Sequence, residues 1–496
     1  MLTLSLVHKI YQTIKGDIQS SLRQQDYAHA LVAIDTYAAI AQFVNDEFRD
    51  DTIENVLKFI GEECIGIRQS SDGTDSKKII FYDQIGSTAC LAQQYLRALN
   101  QLGYEIFYIF EKREENIRPN LQSEVEQLCA KVSCYYGDYS IEKAKAIQDE
   151  IISFGANKLL IQSPAFGALG SAILYSLRGI QKYRIVPGDH HFFVGIDCVD
   201  YLIEFRDFGI NVDLKRRNVP IGKIRKLMYY PIVESSVPFK GFPSDIPNDS
   251  IVIAAAAHEY KFHGSNRFFD IVQYILDKYP NTIFLFIGGK SKVVDDFVRR
   301  ENLEGRFFSL GYRHDFIECM KHIDVFMNSY PWGSALTSMT AAYFKNPIIS
   351  FHNKKEAANG LNSWFRETNI SFSEEPALFE YIDGVIRNVE FRRREGEKIK
   401  SLLQTPEGFA IELDKILSSS LESPIGFQKM DIDYLRDRVN RYIDVQNTFF
   451  PSIYDRLLMG YGLKTLSKFP FLLHNKQFLK HLIFRTRKTL SKKLKH

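Results

Sequence analysis

Apolar residues recur at helical spacing from the start of the chain to about residue 70, as in DYAHALVAIDTYAAIAQFVND and IENVLKFIGEECI. A helical N-terminal region over 1–75 is expected, closing in the polar stretch SSDGTDSKK at 70–78. From there the texture changes. KIIFYD (78–83), EIFYIFE (105–111), KLLIQS (158–163) and YRIVP (183–187) read as strands, with helical patterns between them. Such alternation predicts a parallel sheet covered on both faces, over 76–235. VESSVPFKGFPSDIPNDS (233–250) carries Pro238, Pro243 and Pro247 among Ser and Gly, the composition of a linker. The alternation then restarts with SIVIAAAA (250–257), TIFLFIGG (282–289), RFFSLG (306–311), DVFMNS and PIISF, again with helices between. Residues 373 to about 420 return to a helical pattern, so a second domain is expected over 249–420 and a helical, basic extension over 421–496. The fold class is α/β, with two doubly wound Rossmann-like domains and helical extensions at both ends. Ligands in such sheets bind at the carboxyl ends of strands where strand order reverses, and two such domains suggest a cleft between facing strand ends.

The bulk numbers fit this division. A chain of 496 residues is too long for one core. Six cysteines without a C-x-x-C pair argue against a disulfide framework or zinc site and fit a reducing, cytoplasmic compartment. The start, MLTLSLVHKIYQTIKGD, lacks a basic region and a small-residue cleavage site and reads as a helix, and no run of about 18 apolar residues predicts a membrane span. The net charge of +3 conceals an asymmetry: from Arg456 onward there are eleven Lys/Arg and no Asp/Glu, so the rest carries −8. That tail interleaves Leu, Ile and Phe with Lys and Arg, as a basic interfacial helix does. Peripheral contact with the inner face of a membrane and docking back onto the acidic body are the two expectations. Nucleic acid is not an expected partner, since no recognition motif accompanies the tail.

Neither a G-x-G-x-x-G fingerprint nor a Walker lysine motif is present, which sets aside dehydrogenase and P-loop chemistry. The segment NSYPWGSALTSMTAAYFKNPIIS (328–350) is more informative. Gly333 and Ser334 stand where a strand end turns into a helix, whose first amides and dipole attract an anion. Thr337 adds a hydroxyl there, and Thr340, one turn on, is placed to reach a ribose. The plain alternative is a Ser/Thr-capped core helix.

A strand, a Pro-x-Gly turn, a Thr-bearing helix and an Asn-Pro-hydrophobic run together resemble the donor site of nucleotide-sugar glycosyltransferases of the GT-B fold. AHEYKFHGSNRFFDIVQYILDKYPNTIFLFIGG resembles their other donor segment, in a context similar to the O-GlcNAc-transferring branch. The resemblance implies that Lys261 contacts the donor phosphates. LGYRHDFIECMKHIDVFMN resembles the segment leading to the base-binding loop, which puts Tyr312 and Arg313 on the donor side. The likeness covers about 250–355 well and 78–230 loosely. In the large retaining branch two glutamates stand where this chain has Trp332 and Thr340.

In the first domain, PGDHHFFVGIDCVDYLIEFRDFG (187–209) sets two adjacent histidines after a strand. A histidine can take a proton from a hydroxyl near neutral pH, and the resemblance implies that His191 or His190 serves as base, with Asp189 or Asp197 to orient it. A surface or capping pair is the plain alternative, and no third ligand has metal spacing. Glu204, Arg206 and Asp207 form a charged string, read first as an ion-pair network between domains and second as a place where Arg206 holds an anionic group on the acceptor side. Gly86 and Ser87, opening the first helix, belong to the acceptor side by the same resemblance.

The expected function is transfer of a sugar from a nucleotide donor, a UDP-sugar foremost, to a hydroxyl of a glycan, lipid-linked glycan or protein, with no cofactor and no metal. The alternative is a non-catalytic GT-B-like subunit that binds an acceptor or a partner transferase. A partner glycosyltransferase or a second copy of the chain completes the expected partners.

Overall fold

The computed structural model describes residues 2–45, 47–70, 77–86, 91–113, 117–186, 188–235, 237–353, 361, 364–366, 370–418, 426–433, 435–449 and 452–493. It divides into two compact units, residues 1–227 with 410–496, and residues 228–409.

The first unit begins with α1 (Leu4–Arg23), α2 (Tyr27–Ala41) and α3 (Asp51–Phe59). Each starts on a residue whose side chain accepts from the helix amides: Thr3, Asp26 and Asp50. Next come β1 (Lys78–Asp83), α4 (Ala92–Gln101), β2 (Glu105–Lys112), α5 (Pro119–Leu128), β3 (Lys131–Tyr136), α6 (Ile141–Phe154), β4 (Lys158–Gln162), α7 (Ala168–Ser176), β5 (Gln181–Ile185), β6 (Tyr201–Glu204), α8 (Asp207–Arg216) and β7 (Ile224–Lys226). The seven strands are parallel, in the order β3-β2-β1-β4-β5-β6-β7. The central strand β1 is buried on both faces from Ile79 to Asp83, as a covered parallel sheet requires.

The second unit runs β8 (Ile251–Ala256), α9 (Arg267–Lys278), β9 (Thr282–Ile287), α10 (Lys292–Arg300), β10 (Phe307–Gly311), β11 (Val325–Met327), α11 (Ala335–Tyr343), β12 (Ile348–Ile349), α12 (Glu375–Arg387) and α13 (Val389–Ser401), with α14 (Pro406–Leu417) following. Its strands are parallel in the order β10-β9-β8-β11-β12. Every residue of β9, TIFLFI, is buried. One face of α9 packs its Phe268, Phe269, Val272 and Ile275 into the same core.

The chain ends in α15 (Leu435–Thr448), α16 (Ser452–Tyr461) and α17 (Lys476–Lys493). Their apolar residues Ile453, Tyr454, Leu457 and Phe478 join one cluster with Ile10 of α1, Ala30 and Ile34 of α2, and Ile80 and Ile109 of the sheet. The helices from both ends of the sequence are thus built into the first unit, where they reach the carboxyl ends of its strands. No helix among the described residues is long and apolar enough to cross a membrane.

Candidate functional site

In the second unit the strand order reverses between β8 and β11, and the loops leaving those strands diverge. A cavity of about 530 Å³ lies there. Its walls are His258 and Lys261 after β8, Gly288 after β9, Tyr312 and Arg313 after β10, and Gly333, Ser334 and Thr337 where α11 begins. Lys261 stands in a single helical turn, Glu259–Phe262. Its Nζ donates to Gly333 O (2.8 Å) and Ser334 Oγ (2.9 Å), and Trp332 N donates back to Lys261 O (3.2 Å). Two loops 72 residues apart in sequence are thereby tied at the mouth of one helix. Burial alone pushes the ammonium down to about 8, so the site favours any ligand that restores the positive form.

The helix supplies the complementary part. Its ladder begins with Ser338 N donating to Ser334 O (3.0 Å). The amides of Ala335, Leu336 and Thr337 precede that bond, and all three residues border the cavity. First-turn amides have no acceptor within the helix, and the macrodipole adds positive potential at the same end. The amide of Ser334 is taken by Asn328 Oδ1 (2.8 Å), which fixes the turn. The hydroxyls are turned inward: Thr337 Oγ1 donates to Ser334 O (2.8 Å), Ser338 Oγ to the same carbonyl (2.9 Å) and Thr340 Oγ1 to Leu336 O (3.0 Å). Thr340 lies buried a turn beyond the cavity wall. At the rim Tyr312 is 70% exposed, with its ring centroid 6.1 Å from that of His258. This edge can stack a planar ring. Arg313, also on the wall, is engaged by Asp315 (2.7 and 2.6 Å) and Gly241 O (3.0 Å).

The first sheet reverses between β1 and β4, and a cavity of about 470 Å³ lies over its strand ends. Gln84, Glu111 and Arg113 form its floor, while Asp35 of α2, Gln42 just after that helix, Met459 of α16 and His191 close it. Asp35 accepts from the Tyr139 hydroxyl and from Ala168 N (2.8 Å), yet burial still pushes its carboxyl up to about 6. Glu111 accepts from Gln84 Nε2 (2.8 Å) and Lys143 Nζ (3.2 Å). Gln84 is buried, and its Oε1 has no partner among the described residues.

The histidine pair divides. His190 Nδ1 lies 2.8 Å from Asp189 Oδ1, and the other oxygen of Asp189 accepts from Arg206 Nε. The Arg206 guanidinium and His190 hold this buried carboxyl well below the usual carboxylate range. His191 faces the other way, 3.3 Å from Gln42 Nε2 and edge-on to Phe43. Asp197 is engaged by Arg49 (2.7 Å) instead of either histidine. The charged string is not a network between domains. Arg206 pairs with Asp189, Asp207 with Lys226, and Glu204 with Arg217, itself 2.6 Å from Asp213, all within the first unit. Gly86 sits at φ +63°, with Phe110 so close that a Cβ would meet its ring at 2.4 Å. Ser87 lies outside the described residues.

No protein-family model matches this sequence, and no curated protein matches it. Solved structures do. A mutant O-GlcNAc transferase of Thermobaculum terrenum aligns at TM-score 0.52 and 14% identity, over 88% of this chain and 85% of that one. A glycosyltransferase from Rickettsia africae aligns at 0.50 and 13%, over 70% and 98%. Anabaena HepE in complex with UDP aligns at 0.50 and 12%, over 69% and 100%. The fold is GT-B. Two Rossmann-like units are what this chain shares with those proteins in architecture.

Sequence reasoning named Lys261, Gly333, Ser334 and Thr337, and the structure brings all four to one cavity. It missed Asp35, Gln84, Glu111, Tyr139 and the α16 residues, which come together only through packing of helices distant in sequence. An acid inside the apolar stretch of α2, the half-buried Asp35, was the one local signal.

Proposed function

We propose that this chain is a glycosyltransferase that binds a nucleotide-sugar donor, a UDP-sugar foremost, in the cavity of its second unit. The observation that carries this reading is the Lys261 ammonium, held by Gly333 O and Ser334 Oγ beside the free first turn of α11. A diphosphate there meets one mobile point charge and a row of fixed amides. The rim of Tyr312 and His258 suits the base. Lysine and helix dipole together supply the charge stabilisation of a leaving diphosphate, so no metal is required in this reading. UDP bound to a protein of the same fold, Anabaena HepE, supports the choice of nucleotide.

The acceptor belongs to the first unit. Its cavity offers Asp35, Glu111 and the unpartnered Gln84 oxygen to hydroxyls, and Phe43, Phe166 and Tyr139 to apolar faces. A glycan, free or lipid-linked, fits that mixture better than an unadorned protein surface. In an inverting reaction the acceptor hydroxyl gives its proton to a histidine as its oxygen bonds to the anomeric carbon. The bond from that carbon to the phosphate oxygen breaks, and the diphosphate leaves with the electron pair. His191 borders this cavity and is the better placed base, while Asp189, pinned by Arg206, fixes the ring of His190 beside it. The acceptor-side roles of Gly86 and Arg206 reduce to support: Gly86 allows a close turn, and Arg206 positions Asp189.

A binding subunit without transfer is favoured by one feature. Trp332, only 7% exposed, fills a place where acid-bearing relatives would contact the donor sugar. Calorimetry with UDP and a panel of UDP- and GDP-sugars decides the first question. Binding that is lost in Lys261→Ala is expected, and absence of binding at high micromolar donor overturns the donor site. Binding without sugar release or transfer to any glycan acceptor selects the subunit.

A further inference from the structure

The basic C-terminal segment both docks on the body and leaves one face open. Its inward side is well anchored. Phe478 is fully buried and meets Tyr454 of α16 edge-on at 5.7 Å. Asp455 of α16 takes both His481 (3.0 Å) and Arg485 (3.0 Å). Further back, Lys468 pairs with Asp17 of α1, and Lys9 lies over the Phe471 ring at 4.4 Å.

The outward side of α17 carries Lys476, Lys480, Ile483 and Phe484, residues spaced to share one helix face. All four are exposed, Ile483 to 53% and Phe484 to 64%. Just before the helix, Leu473 and Leu463 are exposed as well. Large apolar side chains set among lysines are unusual on a solvated face. The choice of occupant follows from the lysines. Lysine is depleted in the cores of protein interfaces, so a protein partner would gain the two apolar residues and be hindered by their neighbours. A lipid surface rewards both, since Ile and Phe enter the acyl boundary while lysine stems extend and keep their ammonium groups at the headgroups. The charge agrees: eleven Lys/Arg and no Asp/Glu follow residue 455, and the nearby carboxylates Asp455 and Asp17 already serve inward contacts.

We propose that this face of α17 seats the first unit on an anionic lipid surface as a peripheral, reversible contact. The inference does not depend on the transferase reading. It is tested by sedimenting the full chain with phosphatidylcholine vesicles, with and without a phosphatidylglycerol fraction. Binding to the anionic vesicles alone, weakening as salt is raised, is expected. Ile483→Ser with Phe484→Ser should lower the partition coefficient about tenfold or more. Lys476→Gln with Lys480→Gln should lower it about fivefold per charge and flatten the salt dependence. Thermal melts of both variants should match the parent, as all four side chains point outward. Equal partition of parent and the serine pair, or none by the parent, overturns the proposal. So does a parent dimer that the serine pair dissolves, which would assign the face to a second copy of the chain.

Discussion

The two switch points of this molecule use the same sheet geometry and different chemistry. In the second unit the crevice between β8 and β11 is furnished locally: one lysine from the loop after the first strand, and one helix start from the loop after the fourth. Its character is positive and its donors are fixed amides. In the first unit the crevice between β1 and β4 is furnished from afar, by α2, α16 and the His191 turn, and the carboxyls of Asp35 and Glu111 stand in it beside Lys112, Arg113 and Arg456. One cavity is suited to a phosphorylated ligand and the other to hydroxyls. A doubly wound sheet thus fixes where a ligand goes, while the connecting segments decide which ligand.

The largest expected effect breaks the positive half. Lys261→Ala removes the ammonium that contacts the start of α11, and UDP affinity should fall by about 2–3 kcal/mol, or about thirty-fold or more, by calorimetry. An unchanged affinity would assign phosphate recognition to some other feature. The same site gives a pH test. Because burial sets the Lys261 ammonium near 8, and a bound diphosphate favours the charged form, binding above that pH takes up a proton. UDP affinity should therefore decline as pH rises through about 8, by up to about tenfold per unit, and Lys261→Met should abolish the slope. A flat profile in the parent contradicts the placement of the diphosphate.

The first unit is tested next through its scaffold. Asp189 is wholly buried between Arg206 and His190. Asp189→Asn leaves the Arg206 charge without its partner and should cost about 3–5 kcal/mol of stability in urea unfolding. His190→Ala and His191→Ala separate support from chemistry: loss of turnover with normal UDP binding is expected for the second, and a smaller loss for the first. A variant at His191 with full transfer removes it as base.

These contrasts also explain how far the sequence could be read. The strands of the second unit were legible because β8 and β9 are unbroken apolar runs buried on both faces. β6 and β7 were not, since they are four and three residues long and carry Glu204, Arg225 and Lys226. Buried Glu204 looks like a surface residue until Arg217 appears beside it, thirteen positions later. The donor-side residues were legible because a strand, a turn and a helix follow one another within a few positions. Choosing between the histidines required the cavity itself, since spacing alone does not say which of two adjacent rings borders it. Asp35, Tyr139 and Met459 share a cavity only because helices from both ends of the chain fold over the same sheet.

The smallest effect belongs to that cavity. Asp35 holds its carboxyl at about 6 because burial outweighs the bonds from Tyr139 and Ala168. In the unfolded chain the same group ionises near its ordinary value, about 3.9. The folded state therefore binds the extra proton, and the stability from this group is complete below about pH 4 and lost as pH rises through about 6. Asp35→Asn should remove that portion of the pH dependence, flattening the melting temperature between pH 4 and 6 by a few degrees relative to the parent. A hydroxyl-bearing ligand that donates to the ionised carboxylate would lower its pKa and shift the same window downward. A glycan acceptor of the first unit should thus bind more tightly as pH rises through 6, whereas binding to the positive cavity of the second unit weakens only at higher pH. Opposite slopes for the two ligands in one protein would separate the two cavities without any substitution.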